Sequence, residues 1–433
     1  MICLENRSEE DIKDNMSKLE LPPLLTEQLK YLVKPIGIEI QNWEEFHEAY
    51  LEITFHPSFN ISGVRILKQL CWTMLGTVDY PKTAEKLILN EMFDVVKCYK
   101  LACLYCLDDY IPVLWEKLPE ESKRHFYKKE GPLQVTSPEL EFCWPYILKG
   151  EDTKLDYMPG RRFGDPTTFN QYAFEYSACR GNKAATEYFF RKLTKDQREA
   201  SLFKTVQAVV IRRSEYLPYS CFSTEKLSDT FCYLLSLMSP EQQMEIFKLS
   251  PFNILKCFLD WPWQDLFLDI VELVWSFLTP FDYVYLLRNI SARIPSCYFQ
   301  IKLFQDIFLR GHSDFRKHFV DEECLKGFSF RAYFTVKDSK IIKVIFRNVD
   351  SADKKRLLSS MNLLRIFYLL ILGGKLCLVK LFLKEASLSK EDKEIIKEAY
   401  SGYLTELYGG ETIWKGRECE QFFHLLDEIK IKS

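Results

Sequence analysis

Glycine is scarce in this chain of 433 residues, at 16 in all, well below the roughly 7% typical of proteins. That shortage removes the usual source of positive-φ turns and argues against sheets built on tight hairpins and against Gly-rich phosphate cradles. Histidine is scarcer still, with six residues, which weakens general-base and metal readings. Long apolar runs are missing. The most apolar stretch, Leu363 to Leu383, carries Arg365, Lys375 and Lys380, whereas a membrane span needs about 20 predominantly apolar residues. No membrane span is expected. An excess of one charge is also missing. The 58 basic and 61 acidic side chains sum to −3, so a nucleic-acid partner held by phosphate charge is not expected either. The first residues, Met1 to Asn6, show no basic start followed by an apolar core, and no signal peptide is read there. The fourteen cysteines are then expected as buried thiols in a reducing compartment, placing the chain in the cytoplasm.

Aromatic and aliphatic residues are plentiful, and their period is helical. Val95, Tyr99, Ala102, Cys103 and Cys106 fall on one stripe; Leu376, Val379, Leu383 and Ala386 repeat it, and Ala184, Ala185, Tyr188 and Phe189 do so over a shorter run. Only Phe328 to Phe334 approaches strand alternation. A cassette recurs along the chain: an aromatic or large apolar anchor, two variable positions, an apolar residue, then a helix-capping residue. Trp115 to Leu118 leads into Pro119, Phe190 to Leu193 into Thr194, Leu235 to Met238 into Ser239, Trp275 to Leu278 into Thr279, and Phe346 to Val349 into Asp350. Looser versions begin at Trp72, Phe308, Phe382 and Phe423. Ser, Thr or Asp at an N-cap accepts from an orphan backbone N–H. Gln197 and Gln242, three residues on, complete capping boxes, and Pro240 and Pro280 suit the first helical position. Each cassette therefore predicts a helix ending on a core anchor, a short connection and a new helix. Successive anchors lie 33 to 45 residues apart, with one interval of 75 in which Trp144 to Ile147 is a displaced anchor. That quasi-period is the range of helical repeats.

The expected fold is all-α, a right-handed solenoid-like array of antiparallel helix pairs. Residues 1–35 form a polar arm, 36–149 and 169–433 hold the helical repeats, and 150–168 is a loop-rich break dense in turn residues. Gly160-Arg161-Arg162-Phe163-Gly164 in the break is read as a solvated loop before an anion-binding one.

Two segments resemble the helix pair of ankyrin-type repeats. Ser177 to Phe190 has a small-residue first helix, a Gly-Asn turn and an apolar second helix, and Leu372 to Phe382 is similar, with Gly373 aligned to Gly181, Lys375 to Lys183 and Phe382 to Phe190. The chain as a whole resembles the divergent ankyrin-like helical-repeat proteins of some invertebrates. That resemblance implies a protein-interaction scaffold with a protein partner. The Thr-Pro-Leu-His tetrapeptide of regular ankyrin repeats does not occur, and armadillo-like and other helix-pair arrays stay open.

Chemistry-bearing patterns are few. Cys98, Cys103 and Cys106 match part of a plant-type iron–sulfur spacing, but two of them lie on an apolar stripe and read as small hydrophobes. His312, His318 and Cys324 match no common zinc finger. Trp261-Pro262-Trp263 reads as packing between helices before an exposed interface anchor. The mixed charges of Lys390 to Glu394 read as a solvated helix face. No catalytic, cofactor-binding or metal-binding residue is assigned, no cofactor is expected, and no binding residue is singled out. A non-catalytic interaction scaffold is the leading expectation. The alternatives are an enzyme with a divergent site drawing on Cys143, His125, Asp152 and Arg161, and an effector exported by another route.

Overall fold

A computed structural model describes residues 18, 21–53, 66–129, 131, 139–157, 167–213, 222–293, 298–320, 340–408 and 417–429. Among these residues the protein is helical, and the only β feature is an isolated antiparallel bridge between Trp72 and Val78. No described helix is long and apolar enough to cross a membrane. The strand candidate at 328–334 and the Gly160–Gly164 loop lie outside the described residues. The chain divides into two compact units, Met1–Trp275 and Ser276–Ser433, so the loop-rich stretch at 150–168 falls inside the first.

Unit 1 opens with α1 (Pro23–Leu51), which runs through Pro35 without a break. The end of the polar arm at residue 35 is therefore not an element boundary. A proline ring already holds a helical φ and removes one hydrogen bond of many. Ile40, Trp43, Phe46, His47 and Leu51 form its buried face. The looser cassette at Trp72 is a turn rather than a helix end: the Thr73 N–H donates to the Thr77 carbonyl at 2.9 Å, beside the Trp72–Val78 bridge. The helices α2 (Tyr80–Leu89), α3 (Val95–Leu104), α4 (Ile111–Lys117), α5 (Glu120–Phe126) and α6 (Leu140–Leu148) follow. A 3₁₀ turn, Asp152–Tyr157, leads to α7 (Phe169–Cys179), α8 (Lys183–Lys192), α9 (Lys195–Arg212), α10 (Thr224–Ser236), α11 (Pro240–Leu249), α12 (Pro251–Phe258) and α13 (Phe267–Val274). The stripe expected on α3 is too narrow, because Cys98, Leu101 and Leu104 are buried beside Tyr99, Ala102 and Cys103. Six of its ten residues are buried, and only Lys97 and Lys100 carry charge towards solvent. Cys106 lies beyond the helix end.

Unit 2 holds α14 (Pro280–Arg293), α15 (Tyr298–Arg310), α16 (Ser313–Phe319), α17 (Lys340–Asn348), α18 (Ser351–Ser359), α19 (Met361–Leu372), α20 (Leu376–Ala386), α21 (Lys390–Tyr408) and α22 (Arg417–Glu428). Its aromatic core joins Phe346, Phe367, Phe382, Phe422 and Tyr400 through ring contacts of 4.1–5.6 Å. The charged run at 390–394 is not wholly solvated. Lys393 is buried and its Nζ donates to the Ile429 carbonyl at 2.6 Å. An ammonium at the C-terminal end of α22 meets orphan carbonyls and the negative end of the helix dipole. Asp392 is drawn into a cap.

The caps follow the sequence closely. Thr194 with Gln197 and Ser239 with Gln242 form reciprocal boxes as expected. Thr168 with Gln171 adds another, and Thr279 with Asp282 and Ser389 with Asp392 close the same loop through an aspartate. Asp350 accepts from the Asp353 N–H.

Helix C-termini carry a second recurring device. At Glu91, Cys106, Gly150, Gly181 and Gly374, φ is positive. The N–H of that residue donates to the carbonyl three back, and the next N–H donates to the carbonyl five back, at 2.7–3.1 Å. This is a Schellman turn, which satisfies carbonyls that a helix end leaves orphaned. Scarce glycine did not remove positive-φ turns, since Glu52, Glu91, Cys106 and Ser387 adopt them as well. The turn also corrects by one residue the alignment of the segments 177–190 and 372–382. Gly374, not Gly373, occupies the place of Gly181, and Phe382 then matches the equally buried Phe189.

Candidate functional site

A small, half-open cleft of about 70 Å³ lies within unit 1. Phe46 and Tyr50, one turn apart on α1, supply one part of its lining. Glu141, in the first turn of α6, supplies a carboxyl, and Tyr176 and Arg180 at the end of α7 supply a phenol and a guanidinium. Phe222, just before α10, stacks on Phe46 with ring centroids 4.0 Å apart.

The polar groups are held in defined positions. The Tyr50 hydroxyl donates to Glu141 Oε2 at 2.9 Å. Glu141 is 4% exposed, and burial pushes its carboxyl above the usual range, against the opposing hydrogen bond from Tyr50 and the positive charge of Lys100. The Arg180 guanidinium donates to the Tyr176 hydroxyl at 2.5 Å. Asn182, in the turn after α7, accepts from the Ala185 N–H through its Oδ1 and donates through Nδ2 to the Leu104 carbonyl at 2.8 Å. One side chain thus starts α8 and closes the end of α3, fixing the floor of the cleft.

Two other buried polar clusters in unit 1 are closed. Glu39 of α1 accepts from Lys226 Nζ at 2.6 Å and from the Val78 N–H at 3.1 Å. Lys226 lies over the Tyr80 ring at 4.2 Å and near Asp229, whose Oδ1 accepts from the Trp263 indole at 2.7 Å. Arg213 and Ser228 both donate to Asp260 Oδ2. In such networks every charge has a partner, as burial requires. His47 is equally committed. Its Nδ1 lies 2.6 Å from the Trp43 carbonyl, which can only accept, so Nδ1 carries the proton and Nε2 accepts from the Tyr105 hydroxyl at 2.7 Å. Burial holds the imidazole neutral, with a pKa lowered to about 3.

The sequence candidates for chemistry are dispersed. Cys98, Cys103, Cys106 and Cys143 are buried, and burial pushes their thiols up, away from thiolate character. Cys143 is fully buried, whereas His125 and Asp152 are exposed; none of the three lines the cleft. Arg161 lies outside the described residues. His318 meets the ring of Phe281 edge-on at 4.5 Å, His312 precedes α16, and Cys324 lies outside the described residues. Among the described residues no three His, Cys, Asp or Glu side chains are grouped to hold a metal. Trp261, Pro262 and Trp263 are half-buried, and the Trp263 indole N–H donates to Asp229 Oδ1 at 2.7 Å.

Sequence reasoning missed Glu141, Glu39 and Lys226. A signal existed for the first: Glu141 interrupts the apolar run Leu140, Phe142, Cys143, Trp144, and an acid inside such a run is buried with its neighbours. Compared with the models of known protein families and with curated proteins, the sequence matches none.

Proposed function

We propose that this chain is a non-catalytic, cytoplasmic protein–protein interaction scaffold, built from degenerate ankyrin-like helix pairs arranged as a right-handed solenoid. The observation that carries the reading is the repeated local unit: a helix closed by a Schellman turn at Glu91, Gly181 or Gly374, with the next helix starting within a few residues. A chain assembled from one supersecondary unit buries each unit against its neighbours and presents extended outer faces to a partner. The commitment of His47 and the burial of Cys98, Cys103, Cys106, Cys143 and Cys257 support the same reading, because these side chains are occupied in packing, whereas Cys377 is exposed. Buried free thiols suit a reducing compartment.

Affinity capture of the full chain from native lysate tests this, with partners identified by mass spectrometry and each one re-tested as a purified pair. A partner that forms a complex of fixed stoichiometry in sedimentation supports the scaffold. Absence of any such partner, together with turnover in a metabolite screen, overturns it.

A further inference from the structure

Two buried glutamates in unit 1 are treated differently by the fold. Glu39 has a lysine of its own: the Lys226 ammonium sits 2.6 Å from its carboxyl and 4.2 Å from the Tyr80 ring centroid. Glu141, as deeply buried at 4% exposure, is bonded by its side chain to a neutral phenol, that of Tyr50, and makes no ion pair among the described residues. The positive charge of Lys100 acts on Glu141, but its ammonium is directed to Glu52 at 3.9 Å and lies 5.7 Å from the Tyr50 ring centroid. Glu141 borders the cleft, and the rings of Phe46, Tyr50, Tyr176 and Phe222 line it. A desolvated carboxyl beside aromatic faces attracts an ammonium by charge and by the ring quadrupole together.

We infer that this cleft binds a primary alkylammonium group, seated against the Glu141 carboxyl among the aromatic side chains around it, as Lys226 is seated against Glu39. The ammonium chemistry stands on the cleft alone; that the group is the side chain of a partner's lysine rests on the scaffold reading above. Arg180, on the same lining, donates to the Tyr176 hydroxyl and already lies over the Tyr176 ring, 5.2 Å from its centroid; its charge opposes a second cation on that ring and defines the competing outcome, an anion.

Titration calorimetry on the full-length chain tests the inference, with n-butylammonium chloride, sodium butyrate, a capped Gly-Lys-Gly peptide and its Nε-acetylated form. Butylammonium is expected to bind and butyrate is not. Glu141→Gln keeps the shape and the acceptor for Tyr50, and is expected to weaken butylammonium about tenfold. Lys100→Met removes a nearby like charge and is expected to tighten it by about twofold, a gain that misfolding does not produce. If Glu141→Gln fails to fold, Glu141→Asp replaces it, drawing the carboxyl back by one methylene with an expected loss of about threefold. Butyrate binding as tightly as butylammonium, or butylammonium binding unchanged in the variants, overturns the inference. Binding of the lysine peptide and not its acetylated form assigns the group to a partner's lysine. Binding of butylammonium without the peptide assigns it to a small amine, and the scaffold reading then stands or falls on capture alone.

Discussion

The pair α7–α8 in unit 1 and the pair α19–α20 in unit 2 end their first helix on the same Schellman turn, yet the two turns do different work. At Gly181 a Cβ would lie 3.1 Å from the Leu227 nitrogen and 3.2 Å from the Lys226 carbonyl carbon, so the turn presses on the backbone at the start of α10. At Gly374 no atom lies within 4 Å of such a Cβ. The next residue differs in the same sense. Asn182 is buried, caps α8 and holds the Leu104 carbonyl; Lys375 is exposed and makes no side-chain cap. The same local geometry is a tertiary joint in one unit and a free corner in the other. A backbone motif alone therefore does not tell what depends on it.

That contrast breaks most sharply on substitution at 181. Gly181→Val adds αL strain to a backbone clash and is expected to destabilise unit 1 by about 4 kcal/mol. Seven of the eight tryptophans lie before residue 276, so the urea midpoint by tryptophan emission reports this unit. Asn182→Ala removes a cap and orphans a buried carbonyl, with an expected loss of about 3 kcal/mol by the same measurement. Acid discriminates the units as well. The His47 pKa is about 3 in the folded protein and about 6.5 when unfolded. The unfolded chain therefore takes up the proton first as pH falls. The stability His47 contributes is complete above pH 6.5 and declines towards pH 3, by about 2 kcal/mol at pH 5. Glu39 and Glu141, whose carboxyls burial raises, act with the opposite sign, gaining stability as pH falls into their titration range. The difference between wild type and His47→Gln isolates the histidine, and a difference that does not change between pH 7 and 5 would overturn its buried neutral assignment. Gly374→Ala meets only the positive φ and is expected to cost about 1 kcal/mol, read from amide exchange in α19 and α20. Lys375→Asn gives the second turn the cap that the first one has, and is expected to stabilise that pair by about 0.5 kcal/mol. If Gly374→Ala proves as damaging as Gly181→Val, the free corner is in fact a joint.

Local signals were legible where a single side chain reaches a backbone a few residues away. Thr194, Ser239 and Asp350 cap the helices they precede, and the all-helical fold follows the 3.6-residue period. The same reading missed by one residue the turn at Gly374, because two adjacent glycines leave the αL position ambiguous until the hydrogen bonds are formed. It placed Cys106 on the helix that the αL turn ends. It left Lys393 in solvent, because the partner, the Ile429 carbonyl, is 36 residues away.

What the amino-acid sequence determined by itself was the helical class, the capping boxes and the anchors that end many helices, since these depend on period and on contacts within one turn. The tertiary structure alone decided that Glu39 meets Lys226 across 187 positions, that Asn182 reaches Leu104 across 78, and that Glu141 is buried against a phenol at the edge of a cleft. Burial and charge pairing are properties of neighbours in space, and no local period encodes which distant side chain arrives.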